Sequence, residues 1–173
     1  MPNYVYYKGT IDGTNEDIAH FMDQCFTDGD LDFQKLLPMP VALEGTQSPR
    51  ETPAPDLVEL YGADNWYDWK VENWGCKWNA GETEITVIDN EHSISFETAW
   101  SPAMPIFDII AERFPDISIN LQVMEEGGFF YGTIDIQHGT VIDGLKDTAT
   151  DIEGWRAHAI EYFGEDPEEF DDE

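Results

Sequence analysis

Acid–base, nucleophilic and metal chemistry all need a few reactive side chains held close together, and in this sequence those residue types are dispersed. The four histidines, His20, His92, His138 and His158, show no HExxH or other close ligand spacing. No serine sits in a GxSxG elbow, and no GxxxxGK[ST] loop is present to cradle a phosphate. Cys25 and Cys76 belong to no CxxC pair and are too few for the thiolate set of an iron–sulfur cluster. Asp28-Gly29-Asp30-Leu31-Asp32 begins like a calcium loop, but Phe33 stands where the turn glycine belongs and Met39 where the bidentate glutamate belongs. No catalytic residue, cofactor or metal site is therefore expected. Paired carboxylates are everywhere among 37 acidic residues, so no single pair is informative; an example facing aromatic residues is Asp68 with Glu72, one helical turn apart on a tryptophan-rich segment. With a divalent ion it could serve a hydrolase; without one, the two residues solvate an outer face.

Charge says more. The chain has 37 Asp and Glu against 8 Lys and Arg, a formal net charge of −29. Self-repulsion of that size contributes nothing to folding, so the imbalance concerns partners and solubility. An apolar content of 41 %, with 13 % aromatic residues, rules against a wholly disordered chain. A halophilic surface would be this acidic and this poor in lysine, yet gives no reason for the aromatics. Mimicry of nucleic acid is the other specific account. A duplex carries about one charge per 1.7 Å, so a charge of this size corresponds to roughly 50 Å of DNA. A compact chain of this length has a radius of gyration of about 16 Å, hence a comparable charge per length. Direct binding to DNA or RNA is disfavoured, because the phosphates would be repelled. The segment MPNYVYYKGT lacks a basic region followed by an apolar run, and no stretch approaches the roughly 20 apolar residues of a membrane span. A cytoplasmic protein without membrane partners is expected, and like-charge repulsion favours a monomer.

The elements follow from periodicity. Residues 4–11 read as a strand, and Thr14 with Asp17 opens a helix over 15–26 whose apolar face is Ile18, Phe21, Met22 and Cys25. Residues 35–56 hold five prolines and read as a loop, mobile near 47–55, before a helical turn at 56–62. Four of the six tryptophans fall between Trp66 and Trp78; the spacing predicts a helix over 65–74 and a turn over 75–80. Trp66, Trp69, Trp74, Trp78 and Trp100 are read as an aromatic core, or as a cleft for a base, a sugar or a partner side chain. Strands over 82–89 and 93–100 form a hairpin, with Ile85, Val87, Ile94 and Phe96 inward. A helix from Ser101-Pro102 to Phe114 follows, then strands over 116–124 and 129–137. Residues 139–149 are too polar to read. Thr150 with Glu153 suggests a second capping box, starting a helix over 151–163 docked by Trp155.

Met1-Pro2-Asn3, Asp32 to Pro40, Trp66 to Ala80 and Thr98-Ala99-Trp100-Ser101-Pro102 together resemble the YubB-like family of ferredoxin-fold proteins from bacteriophages, plasmids and bacteria. The resemblance covers roughly residues 1–137 and implies a chain path, not a cluster or an activity. Pattern and resemblance agree on an α+β, ferredoxin-like split β-α-β sandwich. It would have an antiparallel sheet of about five strands, two or three helices on one face, and an added C-terminal helix. The expected organisation is a domain at 1–149, the helix at 150–164 docked on it, and an acidic tail at 165–173. The expected partner is a basic host protein that binds nucleic acid, such as a restriction or other defence complex. The expected contacts are Asp151, Glu153, Glu161, Glu165, Asp166, Glu168, Glu169, Asp171, Asp172 and Glu173. A small regulatory or structural domain, acidic for solubility alone, is the competing expectation.

Overall fold

The structure is a computed structural model, described here for residues 3–164. Strand β1 (Tyr4–Asp12) alternates, with Val5, Tyr7 and Ile11 buried on one side and Tyr6, Lys8 and Thr10 on the other. Thr14 caps α1 (Asn15–Cys25), its Oγ1 accepting from the Asp17 N–H at 3.2 Å, and the helix buries Ile18, Phe21 and Cys25. A small ribbon, β2 (Phe26–Thr27) with β3 (Asp30–Leu31), leads into α2 (Phe33–Leu36). The proline-rich stretch holds a short 3-10 turn, Val41–Leu43, and ends at α3 (Pro55–Tyr61), followed by α4 (Trp66–Trp74). Within that stretch Arg50 Nη1 donates to the Asp64 carbonyl at 3.1 Å, and the Ala54 N–H donates to the Asp64 carboxylate at 3.2 Å.

Strands β4 (Gly81–Ile88) and β5 (Glu91–Ala99) form the hairpin, α5 (Met104–Arg113) crosses back, and β6 (Ser118–Glu125) completes the split unit. The sheet order is β4-β5-β1-β6, antiparallel throughout, as two interleaved β-α-β halves require. Strands β7 (Phe130–Gln137), β8 (Thr140–Asp143) and β9 (Lys146–Asp147) extend it, so the sheet has seven strands rather than about five. The polar residues 139–149 supply the two extra short strands, which are held by pairing with β7 and not by a hydrophobic pattern of their own.

The core lies between one sheet face and helices α1 and α5. Tyr7 stacks on Phe96 at 4.3 Å and meets Phe107 edge-on at 5.8 Å, while Phe21 packs against Phe114. Ile117, Ile119, Leu121 and Val123 are buried as their alternation requires. Val87 is a correction: it is 56 % exposed, because β4 is the edge strand and Val87 lies near the hairpin turn, paired with His92 on one side and with no strand on the other.

The C-terminal segment is helical over 152–163, as α6 (Ile152–His158) running directly into a π turn, Ala159–Phe163. Its cap is Asp151, whose Oδ1 accepts from the Gly154 N–H at 3.0 Å; the Thr150 hydroxyl instead donates to the Asp147 carbonyl. The segment covers the sheet face opposite α1 and α5. Met124 and Tyr131 point to that face by register, yet they are only 3 % and 4 % exposed. His158 packs on the Tyr131 ring at 5.3 Å. The helices therefore lie on both faces of the sheet instead of one.

Candidate functional site

The tryptophan-rich segment splits into a buried half and a displayed half. Asn65 caps α4, its Oδ1 accepting from the Tyr67 and Asp68 N–H groups at 3.1 and 3.0 Å. Trp69 and Trp74 are buried, and the Trp74 indole donates to the Leu37 carbonyl at 2.8 Å, so a large apolar ring enters the core with its polar atom satisfied. Trp66 is half-buried, and Lys70 Nζ lies 5.5 Å from its ring and 4.6 Å from that of Trp74. Burial lowers the Lys70 pKa, with the Cys76 sulfur acting in the opposite sense.

Gly75 ends the helix at φ 82°, and its missing side chain is required: a Cβ there would lie 2.8 Å from the Pro102 carbonyl and the Pro105 ring. This close approach brings the 75–80 turn against the 98–102 loop. A chain of hydroxyls pins the two together. The hydroxyls of Tyr7 and Thr98 lie 2.9 Å apart, that of Thr98 donates to the Ser101 carbonyl at 2.8 Å, and that of Ser101 donates to the Gly75 carbonyl at 2.6 Å.

On this support stand Trp78 and Trp100, 37 % and 44 % exposed. Lys77 Nζ lies between them, 4.6 Å from the Trp78 ring and 4.5 Å from that of Trp100. The Tyr67 ring meets Trp100 edge-on at 6.1 Å. Trp100 itself sits at φ 73°, where bulky residues are outliers, with its N–H donating to the Asn3 carbonyl at 2.9 Å. A strained backbone thus presents a large ring to solvent. The tryptophans are legible in the sequence by type and spacing, whereas Lys77 belongs to no motif there. The signal was its scarcity: two of the 8 basic residues, Lys70 and Lys77, lie inside the aromatic stretch.

Of the acidic residues expected as contacts, Asp151, Glu153 and Glu161 lie among the described residues. Asp151 is drawn into the fold: beyond its capping bond it accepts from the Tyr131 hydroxyl at 2.6 Å and lies 3.9 Å from Lys146 Nζ. The Tyr131 hydrogen bond and the Gly154 N–H lower its pKa. Glu153 is exposed, 3.9 Å from Arg156, and Glu161 is exposed beside Tyr162, whose hydroxyl pKa it raises. Glu165, Asp166, Glu168, Glu169, Asp171, Asp172 and Glu173 lie outside the described residues. Among the described residues only two ion pairs close within 4.0 Å, Lys146 with Asp151 and Arg156 with Glu153. Lys8, Lys70 and Lys77 lie over aromatic rings, and Lys146 lies over the Tyr131 ring as well as near Asp151.

A hollow of about 210 Å³ opens on the sheet face beside the C-terminal segment, lined by Tyr6, Lys8, Glu82, Ser95, Glu97 and Phe163. Burial, then the charges of Glu82 and Glu126, raise the Glu97 pKa. No group of three or more His, Cys, Asp or Glu side chains able to hold a metal occurs among the described residues. Asp68 and Glu72 are both exposed, and Asp68 accepts from the Asn65 side chain at 2.7 Å. Cys25 and Cys76 are free and buried, and burial pushes both thiols up to about 12, which leaves them inert at neutral pH. Asp32 is taken up in local structure. It caps α2, accepting from the Gln34 N–H at 3.0 Å, the Thr27 hydroxyl at 2.7 Å and the Asn79 amide at 2.8 Å. Among the described residues no helix is long and apolar enough to cross a membrane.

Strand order, crossover helices and the extra layer define a ferredoxin-like α+β domain. The family model for the ferredoxin-like domain in Api92-like protein matches residues 73–162, and the chain belongs to that family. Its fold is similar to the crystal structure of a protein api92 from Yersinia pseudotuberculosis, with a TM-score of 0.50 and 14 % identity. That similarity covers 67 % of this chain and 39 % of the other, so the chain spans about two-fifths of that relative's length. No curated protein matches it.

Proposed function

We propose that the chain is a non-enzymatic acidic interaction protein that occupies a basic groove on a nucleic-acid-binding protein, in competition with DNA or RNA. The observation that carries this reading is how the cations are used. With 37 acidic and 8 basic residues, a net charge of −29 has no cation to pair with wherever the lysines sit. Lys8, Lys70 and Lys77 moreover lie over rings, and of the ring-bound lysines only Lys146 also reaches a carboxylate among the described residues, so the surplus negative charge stays available to a basic partner. The exposed Trp78 and Trp100 supply apolar grip of the kind that dominates interface energetics. The resemblance of residues 1–137 to the YubB-like proteins of phages and plasmids supports a restriction or other defence complex as the target, in the host cytoplasm, met by a monomer.

One observation favours the competing reading of acidity for solubility. Exposed carboxylates occur on α1 (Glu16, Asp23), α3 (Asp56, Glu59), α5 (Asp108, Glu112) and the β4–β5 hairpin (Glu84, Asp89, Glu91), which is a wide distribution. Capture of a partner from host lysate on the immobilised chain, at low and high salt and with duplex DNA as competitor, separates the two. Release by salt and displacement by DNA are expected. A partner that stays bound in both, or equal capture after Glu168, Glu169, Asp171, Asp172, Glu173 and the acids of α1 and α6 are neutralised, tells against mimicry.

A further inference from the structure

We infer that Trp78 and Trp100 form a slot for the guanidinium of a partner arginine, kept filled in the free protein by Lys77. This rests on the reading of the chain as a binder of basic proteins and names the chemistry by which it grips them.

The slot is already shown holding a cation. Lys77 Nζ is within 4.6 Å of both ring centroids, although Trp100 is remote in sequence from Lys77. It is not a core contact that happens to include a charge, since both rings are substantially exposed. Nor is it relaxed geometry: Trp100 is held at φ 73° by the Asn3 carbonyl and by the neighbouring hydroxyl chain that ends on Gly75. Backbone strain maintained by surrounding hydrogen bonds is a mark of a functional position. An arginine is the better occupant. Its planar guanidinium stacks on indole faces and sheds water more easily than an ammonium. It would also arrive on a partner attracted by the overall charge of −29. Lys77, on a flexible stem, can swing into solvent when the slot is taken.

The test titrates a short arginine-rich peptide, and the same peptide with citrulline for arginine, into the full chain at low salt, following indole fluorescence and heat. Four variants are compared: Lys77→Met, Trp100→Leu, Trp100→Phe, and Lys146→Met, which removes an equal charge far from the slot. Emptying the slot with Lys77→Met should tighten arginine-peptide binding about two- to fivefold beyond the effect of Lys146→Met, the range expected for one exposed cation–π contact. Trp100→Leu should weaken binding at least as much, with Trp100→Phe between, and the citrulline peptide should not bind. If the arginine peptide binds but Lys77→Met equals Lys146→Met and both Trp100 variants match the unsubstituted chain, the slot is refuted while the acidic-binder reading stands. If neither the unsubstituted chain nor Lys77→Met binds the arginine peptide, both fail. Trp100→Phe retains a ring, so loss of fold in Trp100→Leu leaves the comparison with Lys77→Met and Trp100→Phe to decide.

Discussion

At the scale of single residues, the family-like segments prove to be the residues that hold the displayed rings in place. Thr98 and Ser101 relay hydrogen bonds, Trp100 is the ring they present, and Gly75 allows the two loops to touch. Gly75→Ala should therefore cost roughly 1–3 kcal/mol, from the left-handed backbone and from a Cβ pressed on the Pro102 carbonyl. Urea denaturation followed by indole fluorescence reads this directly; an unchanged midpoint would show that the loops separate freely. Asp32 gives a pH prediction. Burial works to raise its pKa, but hydrogen bonds from Thr27, Asn79 and Gln34 and the charge of Lys35 prevail and lower it. A carboxylate depressed in the folded state stabilises above its unfolded value of about 3.9, and loses that contribution as pH falls through its folded pKa. Asp32→Asn should accordingly flatten the acid limb of the stability curve, and an unaltered slope between about pH 4 and pH 2 would remove the argument. These roles were only partly legible. The tryptophan cluster and the Thr14 cap announce themselves by type and spacing. The strain at Trp100 does not, because no local rule places a tryptophan in the left-handed region.

At the scale of elements, sequence pattern recovered the split β-α-β unit because β1, β5 and β6 bury an alternating face, and the edge strand β4 keeps the alternation although it is little buried. Strands β8 and β9 escaped for the converse reason: their residues are mostly exposed, and only pairing with β7 makes them extended. The side on which α6 packs was also unreadable, since it depends on the register that turns Met124 and Tyr131 outward. That packing sets up a prediction. His158 is buried against Tyr131, Tyr162 and Phe163, with Glu161 and Lys146 as the nearby charges and the Val123 carbonyl beside its ring. Burial lowers its pKa, so the folded state binds fewer protons than the unfolded one as pH drops below about 6.5, and docking weakens in that range. Hydrogen exchange across 152–163 should accelerate from pH 7 to pH 5.5 relative to β1 and β6, after correction for intrinsic rates. Tyr131→Phe, which deletes the 2.6 Å bond to Asp151, should raise exchange in the same segment at both pH values. Uniform exchange across the chain would show that the C-terminal segment has no separate opening.

For the whole molecule, the deciding quantity is the free energy of confining a charge of −29 with only two ion pairs closed among the described residues. Such a chain folds against its own repulsion, which salt relieves over a known range: screening acts across about 30 Å at 0.01 M and about 8 Å at 0.15 M. The melting temperature should therefore climb steeply over that interval in sodium chloride and level off above it. Each kcal/mol of repulsion removed should raise it by about 2–4 °C for a chain of this size. Sulfate would raise it further by exclusion from the surface, so chloride is the salt that isolates screening. The same screening must act oppositely on the proposed partner complex, weakening it as it stabilises the free protein. Measuring both in one salt series is the sharper experiment. Opposed slopes are the signature of a surface whose repulsion is retained for use in binding. A flat melting temperature would mean the carboxylates lie far enough apart to ignore one another, and such a surface could not imitate the charge density of a duplex.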